Sequence, residues 1–179
     1  MKPIQFLIVL ALFGSISTHA ALRPDKVHSA DSKKSGSYVS DGLFVGGDRS
    51  VDDVVVRNIR WANNPQFERL VIDLAGTHGG DALAIPRAPY YQVAVSPDER
   101  RLVLTVWGQP KLEFAAPAFI KSLKKSSVIG SVELLPKIEK DSWTFVIALK
   151  NNGVPVEVFE LKDPVRIIVD LSKGHKKGR

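Results

Sequence analysis

From Val54 onward the chain alternates apolar and polar side chains with a period of two. Leu70, Ile72 and Leu74 share one face of their segment, and Arg69, Val71 and Asp73 share the other. Leu102, Leu104 and Val106 oppose Arg101, Val103 and Thr105 in the same way. Trp143, Phe145, Ile147 and Leu149 oppose Thr144, Val146 and Ala148, and Val165, Ile167, Val169 and Leu171 oppose Arg166, Ile168 and Asp170. Successive side chains of a strand point to opposite faces, so this pattern, rich in β-branched and aromatic residues and bounded by Pro, Gly, Asn and Asp, predicts half-buried strands. There are eight of them, in two sets of four. Between the sets lies residues 114–127 (FAAPAFIKSLKKSS), with Pro117 suited to a first helical turn and Phe119, Ile120 and Leu123 on one side; it predicts a short amphipathic helix. Two sheets with one apolar face each bury those faces together, giving an all-β sandwich of two small sheets with one connecting helix. The predicted core is Leu70, Ile72, Leu102, Leu104, Phe145, Ile147, Ile167 and Val169.

The two sets also resemble each other. Each runs strand, turn, strand, a Gly and Pro break, strand, an Asp or Pro turn, strand and Gly: RNIRW to RLVLTVWG in the first, SVELL to VRIIVDLSKG in the second. A hexapeptide recurs as well, RLVIDL at 69–74 and RIIVDL at 166–171. Such a repeat predicts a duplicated unit whose copies pack with two-fold pseudo-symmetry. If the apolar partners face the core, each sheet shows solvent a row of cation, aliphatic and carboxylate: Arg69, Val71, Asp73 on one, and Arg166, Ile168, Asp170 on the other. An exposed aliphatic between charges suits a recognition surface. Cross-strand pairing, in which Arg and Asp neutralise neighbours, is the alternative.

The ends read differently. Residues 1–20 carry Lys2, a short apolar run from Ile4 to Phe13 and a Thr18-His19-Ala20 site, the pattern of an export signal too short to span a bilayer. Its removal takes the formal charge from +6 to +5. Residues 21–50, rich in Ser, Lys, Gly and Asp, read as a flexible linker in which the patch Leu43-Phe44-Val45 could dock as an edge strand, and 174–179 as a basic tail. Later segments are too short to cross a membrane. Basic clusters at Lys33-Lys34, Lys121, Lys124, Lys125 and the tail suit a polyanion or simply solubility; nucleic acid is disfavoured because no aromatic residues interleave with them. The absence of cysteine excludes disulfides, thiolate metal sites and a Cys nucleophile. The chain lacks HExxH, GxSxG and a phosphate loop, and the His78-Gly79-Gly80-Asp81 stretch offers too few ligands for a metal. No enzyme and no cofactor is expected.

The closing PVEVFELKDPVRIIVDLSKG, with FERLVIDLAG and PDERRLVLTVWG, resembles the AMIN domain, a periplasmic β module of cell-wall amidases and type IV pilus secretins. The resemblance spans residues 54 to 173 of the 51–173 domain. It implies two symmetric sheets with an amphiphilic strip outside each, carried here by Arg69, Val71, Asp73, Arg166, Ile168 and Asp170. It also implies a non-catalytic localisation module of the periplasm or cell envelope whose partner is peptidoglycan or an envelope complex such as an amidase or a secretin. Recognition of peptidoglycan would use aromatic platforms; Tyr90, Tyr91, Trp61 and Trp107 are candidates, and only Trp107 has a strand register that points it outward. Recognition of a pilus or secretin protein is the second possibility.

Overall fold

A computed structural model describes residues 24–78, 81–135 and 141–174. Residues 1–23, which include the expected export signal, Gly79-Gly80, residues 136–140 and the expected basic tail from His175 lie outside the described residues. Among the described residues twelve strands and one α-helix follow in order, with short 3-10 turns at Pro24–Lys26 and Leu123–Lys125: β1 (Val27–Ser29), β2 (Gly42–Gly46), β3 (Val54–Asn63), β4 (Phe67–His78), β5 (Asp81–Leu83), β6 (Tyr91–Ser96), β7 (Arg101–Trp107), β8 (Lys111–Leu112), α1 (Ala116–Ser122), β9 (Ile129–Leu135), β10 (Ser142–Leu149), β11 (Val156–Leu161) and β12 (Arg166–Ser172). One sheet has the order β1-β2-β6-β7-β10-β9; the other has β11-β12-β4-β3-β8, with β5 alongside the end of β4. The fold is an all-β sandwich of two sheets.

The alternation is realised as predicted. All eight predicted core residues are buried in one cluster between the sheets, joined by Tyr91, Val93, Val156, Val158 and Leu171. The half-repeat is also present, in a form the hydrophobic pattern does not specify. The first half supplies β3, β4, β6 and β7, and the second supplies β9, β10, β11 and β12. Neither half makes its own sheet. Each sheet joins the first hairpin of one half to the second hairpin of the other, as β11-β12-β4-β3 and β6-β7-β10-β9, and exchanging the halves turns one order into the other. A hairpin with one apolar face is marginal alone, so trading hairpins makes every sheet and the core depend on both halves.

Three expectations are corrected. The hexapeptides are not symmetry mates on separate sheets: they are adjacent antiparallel strands, with Arg166 opposite Asp73, Ile168 opposite Val71 and Asp170 opposite Arg69. The segment 21–50, expected to be a flexible linker, is part of the fold from residue 24: β2 pairs with β6, β1 pairs with β2, and Val39 and Asp31 bridge to Val156 and Phe159 on the edge of β11. In the connecting segment, Phe119 and Leu123 are buried but Ile120 is exposed. Residues four apart share a helix face, whereas Ile120 lies one step round from Phe119.

Glu68 holds this connection in place. It has the same parity as Leu70 and so points inward, where it is fully buried. It accepts hydrogen bonds from Trp61 Nε1 (2.9 Å), Ser127 N (2.6 Å), Ser127 Oγ (2.7 Å) and Ser126 Oγ. Burial pushes its carboxyl up, and these donors outweigh that effect, so its pKa ends below the ordinary glutamate range.

Candidate functional site

Antiparallel pairing of two Arg-aliphatic-Asp rows reverses one against the other, which sets each Arg opposite the other row's Asp. The outer face of the β11-β12-β4-β3 sheet therefore reads as three cross-strand rows. They are Glu157, Asp170, Arg69, Ala62; then Phe159, Ile168, Val71, Arg60; then Leu161, Arg166, Asp73, Asn58. The middle row is apolar except for Arg60 at its β3 end. Phe159, Ile168 and Val71 are buried as a second small cluster, with Leu161 packed against it. Aliphatics expected to meet solvent are thus covered by a neighbouring aromatic side chain.

The two ends of the patch behave differently. At one, Arg69 forks onto Asp170 through Nε (2.6 Å) and Nη2 (2.8 Å), and the Asp170 carboxylate is fully buried. Lys34 adds a second cation, 2.5 Å from Asp170 Oδ2 and 3.6 Å from Glu157 Oε2. Burial works against the Lys34 ammonium, but its hydrogen bonds to Asp170 and Tyr38 outweigh it and hold its pKa above the ordinary lysine value. At the other end Asp73 is taken by Arg60, at 2.8 Å through both Nε and Nη2. With both oxygens occupied, Asp73 leaves Arg166 without a carboxylate partner among the described residues, and Arg166 Nε donates to the Pro164 carbonyl at 3.2 Å. All six predicted residues are brought together, but on one sheet and mostly satisfied by one another or by neighbours.

The other outer face is barer. On β6, β7 and β10 it carries Gln92, Ala94, Val103, Thr105, Thr144 and Val146, all half-buried, with the Thr105 and Thr144 hydroxyls 3.2 Å apart. At its end Trp107 points outward as its register predicts, and Tyr90 joins it, ring centroids 5.1 Å apart and tilted by 45°. They line a cleft of about 440 Å³ with Arg49, Asp52, Gln92, Gln109 and Asp141. The Arg49 guanidinium lies over the Tyr90 ring at 4.4 Å, and Gln92 Nε2 donates to Tyr90 Oη at 2.6 Å. The backbone around the cleft is strained at Asp53 and Gln109, which adopt φ of 50° and 49°, while Gly108 takes a φ of 92° that glycine allows. A Cβ on Gly108 would lie 2.8 Å from the Val51 carbonyl. Left-handed non-glycine residues cost about 1–3 kcal/mol each, and such strain gathers at binding sites. Of the other aromatic candidates, Tyr91 is in the core and Trp61 is half-buried on Glu68. Tyr90 precedes the alternating run, so its outward position was not readable from the strand period.

His78 and Asp81 pair in register at the ends of β4 and β5. Among the described residues no cluster of His, Cys, Asp and Glu suits a metal ion, and no helix is long and apolar enough to cross a membrane. Comparison with family models, with curated proteins and with solved structures finds no match.

Proposed function

We propose that this chain is an exported, non-catalytic binding module of the bacterial cell envelope that attaches to peptidoglycan. The observation that carries this reading is the outward Tyr90–Trp107 pair in its polar cleft. Aromatic faces are electron-rich and pack against the C–H faces of a sugar ring, while carboxamides, carboxylates and a guanidinium take its hydroxyl, acetamido and carbonyl groups in both directions. Gln92, Gln109, Asp52, Asp141 and Arg49 supply that mixture. Export follows from the leader pattern of residues 1–20, and the periplasm or envelope is the compartment where such a ligand is met. In this reading the Arg69–Asp170 patch is scaffold, and Arg166 is the one member of the predicted strip with a guanidinium free to add a contact.

Co-sedimentation of the mature protein with purified sacculi tests the proposal. Trp107→Ala and Tyr90→Ala are expected to weaken retention by roughly tenfold, about 1.4 kcal/mol, with the fold intact. Retention of both variants at the wild-type level would overturn it. A second reading, recognition of a pilus or secretin protein, is favoured by a different feature. Among the described residues β9 pairs only with β10, whereas its counterpart β3 is flanked by β8. An open edge of this kind accepts a strand from a protein partner.

A further inference from the structure

The Lys34 ammonium sits in an unusual enclosure. Beyond Asp170 and Glu157, it is 3.0 Å from Tyr38 Oη, 3.9 Å from the centre of the Phe67 ring and 5.4 Å from that of Tyr38. Two buried carboxylates and two aromatic rings around one alkylammonium are the features by which proteins recognise such cations. The residue that occupies the enclosure is only loosely part of the fold. Ser32 to Ser37 are all exposed, and the Lys34 side chain itself is 38 % exposed. The segment is fixed at its ends, by Glu160 N donating to the Asp31 carbonyl (2.7 Å) and by paired Val39 and Val156. Midway, the Ser35 and Gly36 amides donate to Glu157 Oε1 at 2.7 and 2.6 Å. Glu157 Oε2 is buried and accepts no hydrogen bond. It therefore has an open acceptor position facing the ammonium.

We propose that this enclosure is a recognition site for the ω-ammonium of a lysine-type side chain on an incoming peptide, and that Lys34 occupies it as an intramolecular stand-in. A cleft of about 550 Å³ lined by Lys34, Gly36, Tyr38, Pro65, Gln66 and Phe67 leads to it and leaves room for the peptide. The charge balance requires a cation there: Arg69 neutralises one of the two buried carboxylates, and the second needs another positive group. A divalent metal does not suit the site, because Arg69 already engages both Asp170 oxygens and aromatic rings are poor metal ligands. Lys34 competes at an effective concentration on the order of millimolar, as short tethers do, so an external lysine displaces it only with the help of further contacts along the cleft. The inference is independent of the glycan reading, which concerns the opposite face.

The test uses the full chain carrying Lys34→Ala, which removes three methylenes and the ammonium. n-Propylammonium chloride, the missing fragment, is expected to raise its melting midpoint more than sodium chloride at equal concentration. Nα-acetyl-lysine amide is expected to bind this variant roughly tenfold tighter than wild type, because the tethered competitor is gone, whereas the Nε-acetylated compound does not bind. Adding Glu157→Gln abolishes both effects. A midpoint no more responsive to propylammonium than to sodium chloride, or equal affinity of the lysine amide for both chains, overturns the proposal. Should Lys34→Ala fail to fold, the lysine amide is titrated into wild type and amide exchange is followed at Ser35 and Gly36. Faster exchange supports displacement of Lys34, and unchanged exchange refutes it.

Discussion

The two outer faces of the sandwich share one core and one strand order, yet one is closed and the other open. On the β11-β12-β4-β3 sheet, Phe159 covers the aliphatics, Arg69 and Lys34 neutralise buried carboxylates, and residues 31–39 lie along the edge. On β6, β7 and β10 of the other sheet the corresponding positions are Thr, Val, Ala and Gln, which need neither cover nor counter-ion, and the face ends in Tyr90 and Trp107. The comparison teaches that charge in a strand pattern does not by itself mark a binding face. Paired charges on neighbouring strands neutralise each other.

Breaking the closed face should have the largest effect. Asp170→Ala leaves Arg69 and Lys34 without their shared carboxylate and should cost about 3–5 kcal/mol in urea unfolding. Ile167→Ala, in the core common to both faces, should cost about 2–5 kcal/mol. Glu68→Gln should cost about 1–3 kcal/mol at neutral pH, because the amide cannot accept all the donors now satisfied by the carboxylate. Glu68 also sharpens the comparison through pH. Its pKa is depressed in the fold, so its stabilisation is fully present above the unfolded value and is lost as pH falls through the folded one. Wild type should therefore lose stability below about pH 4.5, and Glu68→Gln should lose less over the same range. The smallest effect is expected on the open face, where Thr105→Ala should change stability by roughly 0.5 kcal/mol or less.

The core was legible because alternation fixes which side chains point inward wherever one face is apolar: Phe145 and Ile167 could be placed from sequence parity alone. The exchange of hairpins was not, since RLVIDL and RIIVDL would satisfy their apolar faces on one sheet or on two. The hexapeptide likeness suggests symmetry, whereas it makes β4 and β12 complementary neighbours, each Arg facing an Asp. Most of the N-terminal segment leaves no pattern because few large apolar side chains anchor it; Leu43-Phe44-Val45 is the exception, and it forms the centre of β2 with Phe44 in the core. Lys34, the Ser35 and Gly36 amides and edge bridges hold the rest, and a polar composition rich in Ser and Gly carries no period. Glu68 did leave a signal, a carboxylate in phase with Leu70, Ile72 and Leu74. The Tyr90–Trp107 cleft was half legible: strand register aimed Trp107 outward, while Tyr90 and Arg49 arrive from turns.

The account rests on recognition by the open face and not by the charged strip, and an NMR titration compares the two in a single sample. Glycan fragments released from sacculi are added to the labelled chain while the indole N–H signal of Trp107, one of three tryptophans, and the side-chain Nε–H signals of Arg69 and Arg166 are followed. A saturable shift of the Trp107 indole with Arg69 unmoved is the predicted result. Movement of Arg69 and Arg166 with a stationary Trp107 indole would contradict it and return recognition to the charged strip.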